Sequence, residues 1–311
     1  MKAKTFDSTL AYFVNQLDNL DRTLHEPLYS VTWGRDVKLR TGISFANEST
    51  SFTRAQFAAG GSSDANGMPY LSPASSTLQG LSVNGERVVS PLRLLGYELS
   101  YSSVELDRSQ LIGQPIDTQK FDNLNMQYQM ATDQMVYVGD TNVGATGLLN
   151  GGDVDNVDTA IYTNWIAGGD PDLILQSVNE LVESVWSNTG FAVCPDKLLL
   201  PPAEYAFIAT RKVSTAGSIS ILGYLEDNSI SLRVNGRKLD IQPVKWLTDK
   251  ATSGTRMAAY TNDMNRVRFP LVPIRRETPY YLGIRFNAPY IWGLGEVEFV
   301  YPETVGYRDG I

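Results

Sequence analysis

The sequence predicts an α+β fold organised around one long helix. Three observations lead there. Phe121, Leu124, Tyr128, Ala131, Met135 and Val138 recur at steps of three and four, which places them on one face of a 3.6-residue helix. Segments that alternate or run apolar, such as residues 81–89, 197–200 and 295–301, read as strands. The order of these pieces lacks the regular βαβ alternation of a nucleotide-binding sheet.

Taken in chain order, residues 5–20 form a short amphipathic helix with Phe6, Leu10, Phe13, Val14 and Leu17 on one face. It suits either a helix docked on its own domain or an arm laid on a neighbouring subunit. Ile43-Ser44-Phe45 and Ser51-Phe52-Thr53 alternate like strands, and residues 58–80 are rich in Gly, Ser and Ala with almost no core formers. The returning alternation at 81–89 makes the whole an extended two-strand arm. Residues 92–113 read as a strand and a short helix. The long helix follows, with Pro115 before it, Asp117 as N-cap and Gly139 as its stop. About 22 residues give a rod of roughly 33 Å. A glycine-rich loop, residues 139–150, comes next. Asp170 and Pro171 open a second helix with Ile174, Val178, Leu181, Val182 and Val185 as its stripe. Residues 197–200 form a buried strand, Pro201-Pro202 opens a helix, and another covers 218–228. Asn235-Gly236 signals a hairpin.

Bulk properties narrow the function. The 311 residues suffice for about two domains. No apolar run approaches the roughly 18 residues of a membrane span, and the N-terminal segment lacks the apolar core of a signal peptide, so synthesis in the cytosol is expected. Net charge is −8 with a pI near 4.8. A chain that grips nucleic acid over its surface is basic. DNA near this one is expected to be enclosed rather than specifically bound.

Candidate chemistry is sparse. His25 and Cys194 are the single histidine and cysteine, which excludes an intrachain disulfide and a multi-cysteine metal site. A Ser-His-Asp or Cys-His site would have to use His25, and an arm histidine with a buried, inert cysteine is a plainer reading than a His25–Cys194 dyad. There is no phosphate loop and no nucleophile elbow. Residues 153–158, DVDNVD, have a calcium-loop flavour, but Val157 and Asp158 depart from the pattern; a solvated acidic turn explains them better. Arg266, Arg268, Arg275 and Arg276 form a small basic region, for which salt bridging is preferred over DNA contact. Glu98 and Glu105 are the carboxylates a carboxylate-dependent enzyme would use, with nothing fixing them in one site. No catalytic, cofactor-binding or metal residues and no cofactor are expected.

Four segments together resemble the major capsid proteins of tailed bacteriophages, the Hong Kong ninety-seven fold. They are Val138-Gly139-Asp140 with Gly147-Leu148-Leu149-Asn150; the helix 172–186 with Val185-Trp186-Ser187-Asn188; Leu198-Leu199-Leu200-Pro201-Pro202 with Tyr205 and Ile208-Ala209-Thr210; and residues 288–301 with the terminal Val305-Gly306-Tyr307-Arg308-Asp309-Gly310-Ile311. The resemblance covers roughly residues 90–311. It implies an N-terminal arm (1–34), an extended loop (35–95), a peripheral domain with the spine helix (96–150 and 271–311) and an axial domain (151–270). It implies hexamers and pentamers of an icosahedral phage head around double-stranded DNA, assembled in the host cytoplasm and carried in the virion. Implied partners are a separate scaffolding protein, a portal and a decoration protein, with no membrane. Some relatives lock the shell by Lys–Asn isopeptide bonds from the extended loop. No lysine occurs between Lys38 and Lys120, so none is expected here. The first alternative is an encapsulin-type nanocompartment shell, the second the carboxylate enzyme.

Overall fold

The computed structural model describes residues 28–59, 81–105, 107, 116–157, 164–214, 217–248, 250–251 and 254–311. The helix expected at 5–20 and most of the 58–80 stretch lie outside them.

A short helix α1 (Trp33–Asp36) leads into β1 (Lys38–Arg40). Strands β2 (Ser49–Ala59) and β3 (Leu81–Pro91) pair antiparallel over all eleven residues. This is the expected two-strand arm. Residues 43–45 precede it outside any strand. β4 (Arg93–Ser102) then runs to the spine helix α2 (Ile116–Tyr137). Asp117 therefore lies inside the first turn rather than at the cap.

The spine helix ends in a loop that folds back on it. β5 (Gly139–Asp140) and β6 (Ala145–Thr146) form a small ladder. The amides of Leu148 and Leu149 then bond to the carbonyls of Val136 and Tyr137 (2.7 and 3.0 Å), and Asn150 Nδ2 donates to Val138 O (2.8 Å). Carbonyls a helix end leaves unpaired are thus satisfied by the returning chain. Gly139 sits at φ +72, and a Cβ there would lie 2.1 Å from Ala145 O; one on Gly147 would lie 2.5 Å from the Tyr137 carbonyl. The glycines permit close approach of backbones, so the loop is a tight cap on the helix end. Leu148 and Leu149 are fully buried.

After β7 (Asp155–Val157) come α3 (Trp165–Gly168) and α4 (Pro171–Asn188), the second long helix. Asp170 caps α4, accepting from the Asp172 amide, with Pro171 in the first turn, and all five predicted stripe residues are buried. β8 (Lys197–Leu200), α5 (Pro202–Thr210), α6 (Ile221–Asn228), α7 (Ile230–Asn235), β9 (Asp240–Pro243) and β10 (Arg256–Tyr260) follow. Gly236, at φ +68, closes α7 as its left-handed cap. The expected hairpin is absent because a left-handed glycine serves both turns and helix ends. The chain finishes with β11 (Val267–Arg276), β12 (Tyr280–Leu282), β13 (Arg285–Leu294), β14 (Glu298–Phe299) and β15 (Val305–Asp309). Of the expected strand 295–301 only β14 pairs in a ladder.

Two sheets result. One has six strands, β1-β11-β13-β12, with β14 on β11 and β4 on β13; the other has five, β7-β15-β10-β8-β9. Each face of the five-stranded sheet meets a separate core. Leu198, Leu200, Met257 and Ala259 join the helix α4 cluster. Leu199, Ala258, Tyr260 and Tyr307 join the cluster of the spine helix and six-stranded sheet. Burial on both sides explains why β8 reads as a continuous apolar run after Lys197. The chain crosses between sheets at places other than the expected boundaries. β15, expected with the spine helix, lies between β7 and β10; β11 spans the 270/271 boundary; β1, from the expected loop segment, belongs to the six-stranded sheet. Non-local pairing decides these memberships, and no local pattern reports it.

Candidate assembly elements and their anchors

Gln129, Asp133 and Tyr137 stand four residues apart on the spine helix, so they form one polar stripe. That stripe grips the segment entering from the N-terminal side. Gln129 Oε1 accepts from Trp33 Nε1 (3.0 Å). Asp133 Oδ1 accepts from the amides of Thr32 and Trp33 (2.9 and 3.1 Å). It thereby caps α1, whose own Thr32 makes no side-chain cap. Asp133 Oδ2 takes Trp246 Nε1 (2.7 Å) and lies 3.5 Å from Lys245 Nζ.

One turn further, Asp36 is the centre of a buried cluster. Its carboxylate is fully buried, 3.0 Å from Lys197 Nζ and 2.7 Å from Arg35 Nε, and it accepts the Tyr137 hydroxyl. Lys197 also pairs with Asp240 (3.0 Å) and donates to Arg35 O (2.9 Å), while Tyr260 donates to Asp36 O (2.6 Å). Burial, reinforced by the Asp36 charge, raises the phenols of Tyr137 and Tyr260 far above their usual range. Burial works against the Asp240 carboxylate, but hydrogen bonds from Gln242 and Lys197 outweigh it and hold its pKa below the usual value. The cluster joins the arm base, the spine helix and three strands of the five-stranded sheet.

Glu298 anchors the hairpin. It is buried, with Arg40 Nη1 and Arg268 Nε each 2.6 Å from it and Thr50 Oγ1 donating at 2.6 Å. Strand periodicity puts Thr50, Phe52 and Arg54 on one face, and that face meets the body. Phe52 lies under the guanidiniums of Arg54 (5.6 Å) and Arg268 (5.9 Å), and Arg54 donates to Phe299 O (2.6 Å). The opposite face is open, with Val83 and Val89 exposed. Glu298→Gln leaves two guanidiniums without their carboxylate. It is expected to cost about 3 kcal/mol and to speed proteolysis within the hairpin, measured by denaturant midpoint and limited digestion. An unchanged midpoint would contradict the anchoring role.

The residues singled out from sequence are dispersed. His25 is outside the described residues. Cys194 is buried, and burial first, then the Asp196 charge, pushes its thiol up to about 11, the setting of an inert cysteine. Asp153 faces Arg54 at 3.7 Å, while Asp155 accepts from Asn188 Nδ2 (2.9 Å) and belongs to β7. Asp158 is not among the described residues. Arg266 pairs with Asp263 (2.7 Å), Arg268 with Glu298, and Arg275 with Glu277. Arg276 lines an open groove with Tyr101, Phe121 and Tyr290. Glu98 accepts from the Tyr280 hydroxyl (2.5 Å). The Ser102 amide, then Lys120, hold Glu105 below the usual carboxylate range. Among the described residues no three His, Cys, Asp or Glu side chains cluster as metal ligands, and no helix is long and apolar enough to cross a membrane. The anchoring acids Asp36, Asp133 and Glu298 were not anticipated. The four-residue spacing of Gln129, Asp133 and Tyr137 was the available signal.

A projecting hairpin, a long spine and two interleaved sheets are features to compare with known proteins. The family model for the major capsid protein matches residues 69–311. The chain belongs to that family. The capsid of Myoviridae Phage XM1 superposes with a TM-score of 0.78 at 16% identity, covering 96% of this chain and 98% of that one. The capsid of a native GTA particle gives 0.63 at 13%, covering 99% of both. A virus-like particle from Pyrococcus furiosus gives 0.52 at 12%, covering 99% and 100%. No curated protein gives a significant match.

The tailed-phage capsid fold expected from sequence is thus the fold of this capsid protein, a phage major capsid protein and virion component. Its family is structural, and it is built to associate with its own copies in a shell. In the capsid protein, the clusters at Asp36 and Glu298 hold arm base, hairpin and two sheets in one subunit. A shell subunit needs that rigidity, because its contacts must repeat from copy to copy.

Proposed function

We propose that the capsid protein forms hexamers and pentamers of an icosahedral head around double-stranded DNA, performs no catalysis, and assembles in the host cytoplasm. The observation that carries this reading is the β2–β3 hairpin. It is a two-stranded sheet of its own, anchored by one face and leaving apolar residues of the other exposed. An isolated hairpin is marginal in water, so a neighbouring subunit beneath it supplies the missing packing. In this reading the six-stranded sheet and spine helix form the peripheral domain. The five-stranded sheet with α3–α7 forms the axial domain, including β15, and the segment before α1 is the arm. A separate scaffolding protein, a portal and a decoration protein are the proposed partners, and the packaged DNA is contacted without sequence specificity.

Electron microscopy of purified particles tests this. Tailed, DNA-filled shells with the hairpin lying on an adjacent subunit are expected. DNA-free shells holding an enzyme cargo would support the nanocompartment instead, and an active monomer the carboxylate enzyme. The same particles on a denaturing gel should give a single subunit band. A ladder of covalent oligomers would contradict the expectation that no isopeptide cross-link forms from the hairpin segment. Closed shells of native size from this chain expressed alone would count against the separate scaffold.

A further inference from the structure

The hairpin is attached to the subunit at two unequal points. The inner point is buried and strong. Thr50 reaches Glu298, and Arg40 Nη2 donates to Ser51 O (3.0 Å). The outer point is Arg54, four residues along the same face. Its Nη2 bonds to Phe299 O of the six-stranded sheet, while its Nη1 lies 3.7 Å from Asp153 Oδ2. Asp153 belongs to the turn 151–153, which is tied to the other sheet. The Gly151 amide donates to Tyr307 Oη of β15 (3.2 Å), and the turn runs directly into β7. Both strands sit in the five-stranded sheet. Arg54 therefore touches a part of each sheet from within the hairpin.

We infer that Arg54 is the adjustable support of the hairpin, and that its pair with Asp153 couples the hairpin's inclination to the position of the five-stranded sheet. This rests on the reading that the hairpin overlaps a neighbour. Three features argue for adjustment rather than a lock. The Arg54 side chain is 26% exposed and that of Asp153 74%, so water screens the pair and its strength is modest. A cleft of about 300 Å³ lies between hairpin and turn, lined by Phe52, Arg54, Gly151, Gly152, Asp153 and Phe299, which leaves room for movement. The buried anchor at Thr50 supplies a fixed pivot. Geometry then amplifies small shifts. Thr50 to Arg54 is four strand steps, and Thr50 to Ala59 is nine. A 1 Å displacement at Arg54 thus becomes about 2 Å at residue 59 for a stiff strand of even rise. A copy of the chain that meets its neighbours at a slightly different angle can re-aim its hairpin through this link. Coupling of this kind is reciprocal. Contacts made by the hairpin bias the five-stranded sheet in return.

Amide hydrogen exchange on the full chain, both unassembled and in particles, tests the link. Asp153→Asn removes charge at near-constant shape, and Arg54→Gln removes the charge and shortens the side chain; both positions are partly exposed. Asp153→Asn is expected to raise exchange at residues 84–89 by roughly two- to five-fold, the range of an exposed ion pair. Arg54→Gln is expected to raise it there and also at 152–156. The double variant should match Arg54→Gln alone, because both changes remove one interaction. The exchanged pair, Arg54→Asp with Asp153→Arg, should return exchange toward the parent and guards against a folding defect. Unchanged exchange at 84–89 in Asp153→Asn, or an Arg54→Gln effect confined to the hairpin, would overturn the inference. Particle formation, scored separately by microscopy, reports on the overlap with a neighbour. Variants that show the expected exchange changes yet form particles as readily as the parent would speak against that overlap and leave the link standing.

Discussion

Asp36→Ala is expected to destabilise the subunit by about 3–5 kcal/mol, because it leaves buried positive charge without its partner. Lys197, 4% exposed at its side chain, would keep Asp240, whose side chain is 47% exposed, as its remaining carboxylate. Arg35 would lose its bidentate contact, and the buried Tyr137 hydroxyl would lose an acceptor. Domains are stable by only about 5–15 kcal/mol, so the loss should show as poor soluble yield and a lowered unfolding midpoint. Asp36→Asn should be milder, since it keeps the shape and part of the hydrogen bonding. The informative measurement is Asp36→Ala with Lys197→Met. Removing the stranded charge should recover part of the midpoint, as contacting residues do not add independently. If the double variant is less stable than Asp36→Ala, the destabilisation comes from lost packing and the charge argument fails.

Above about pH 10 the protein should lose stability steeply. Tyr137, Tyr260 and Tyr307 are buried, and burial raises the phenol pKa of all three. In the unfolded chain a tyrosine ionises near pH 10. Between that pH and the raised folded value, the unfolded state has released protons that the native state retains. Stability is therefore fully present below the unfolded pKa and falls as pH rises through this window. Each such group contributes a slope of about 1.4 kcal/mol per pH unit, so three give about 4 kcal/mol per unit. Cys194, raised to about 11, adds to the loss between its unfolded value of about 8.5 and that folded value. Thermal unfolding of particles at pH 8, 9, 10 and 11 checks this. Tyr307→Phe should lower the midpoint at neutral pH, because the bond to Leu148 O (2.5 Å) is lost. It should also flatten the alkaline slope by about a third. A slope indifferent to that change would remove Tyr307 from the account.

Periodic elements were legible in the sequence because local burial leaves a local trace. The stripe of α4 was read residue for residue, with its Asp170 cap and Pro171 start. The spine helix was placed within two residues at its start and one at its end, although Phe121 at its exposed end is outside the core. Misreadings occurred where one signal serves two structures. Gly236 ends a helix instead of turning a hairpin, and the alternation at 295–301 yields two paired residues because the Val297 amide turns to Thr146 O of β6 instead of continuing the ladder with β11. The anchoring acids were hidden for a different reason. Asp36 meets partners at 137, 197 and 260, and Glu298 meets partners at 40, 50 and 268. A charged residue in a linear sequence reads as solvated until its distant partner is known.

The long helix and its glycine loop were set by sequence alone, and with them the capsid family. Each depends on neighbours within a few residues or on residue counts. The tertiary structure decided what those parts are attached to. It turned the glycine loop into a cap fixed by Leu148 and Leu149, sent the last strand into the five-stranded sheet, and seated the hairpin on Glu298. Those outcomes rest on hydrogen bonds and ion pairs between separate elements, from twelve positions apart at the glycine loop to 258 apart at Glu298. Their energies depend on burial and distance, which exist only once the chain has folded.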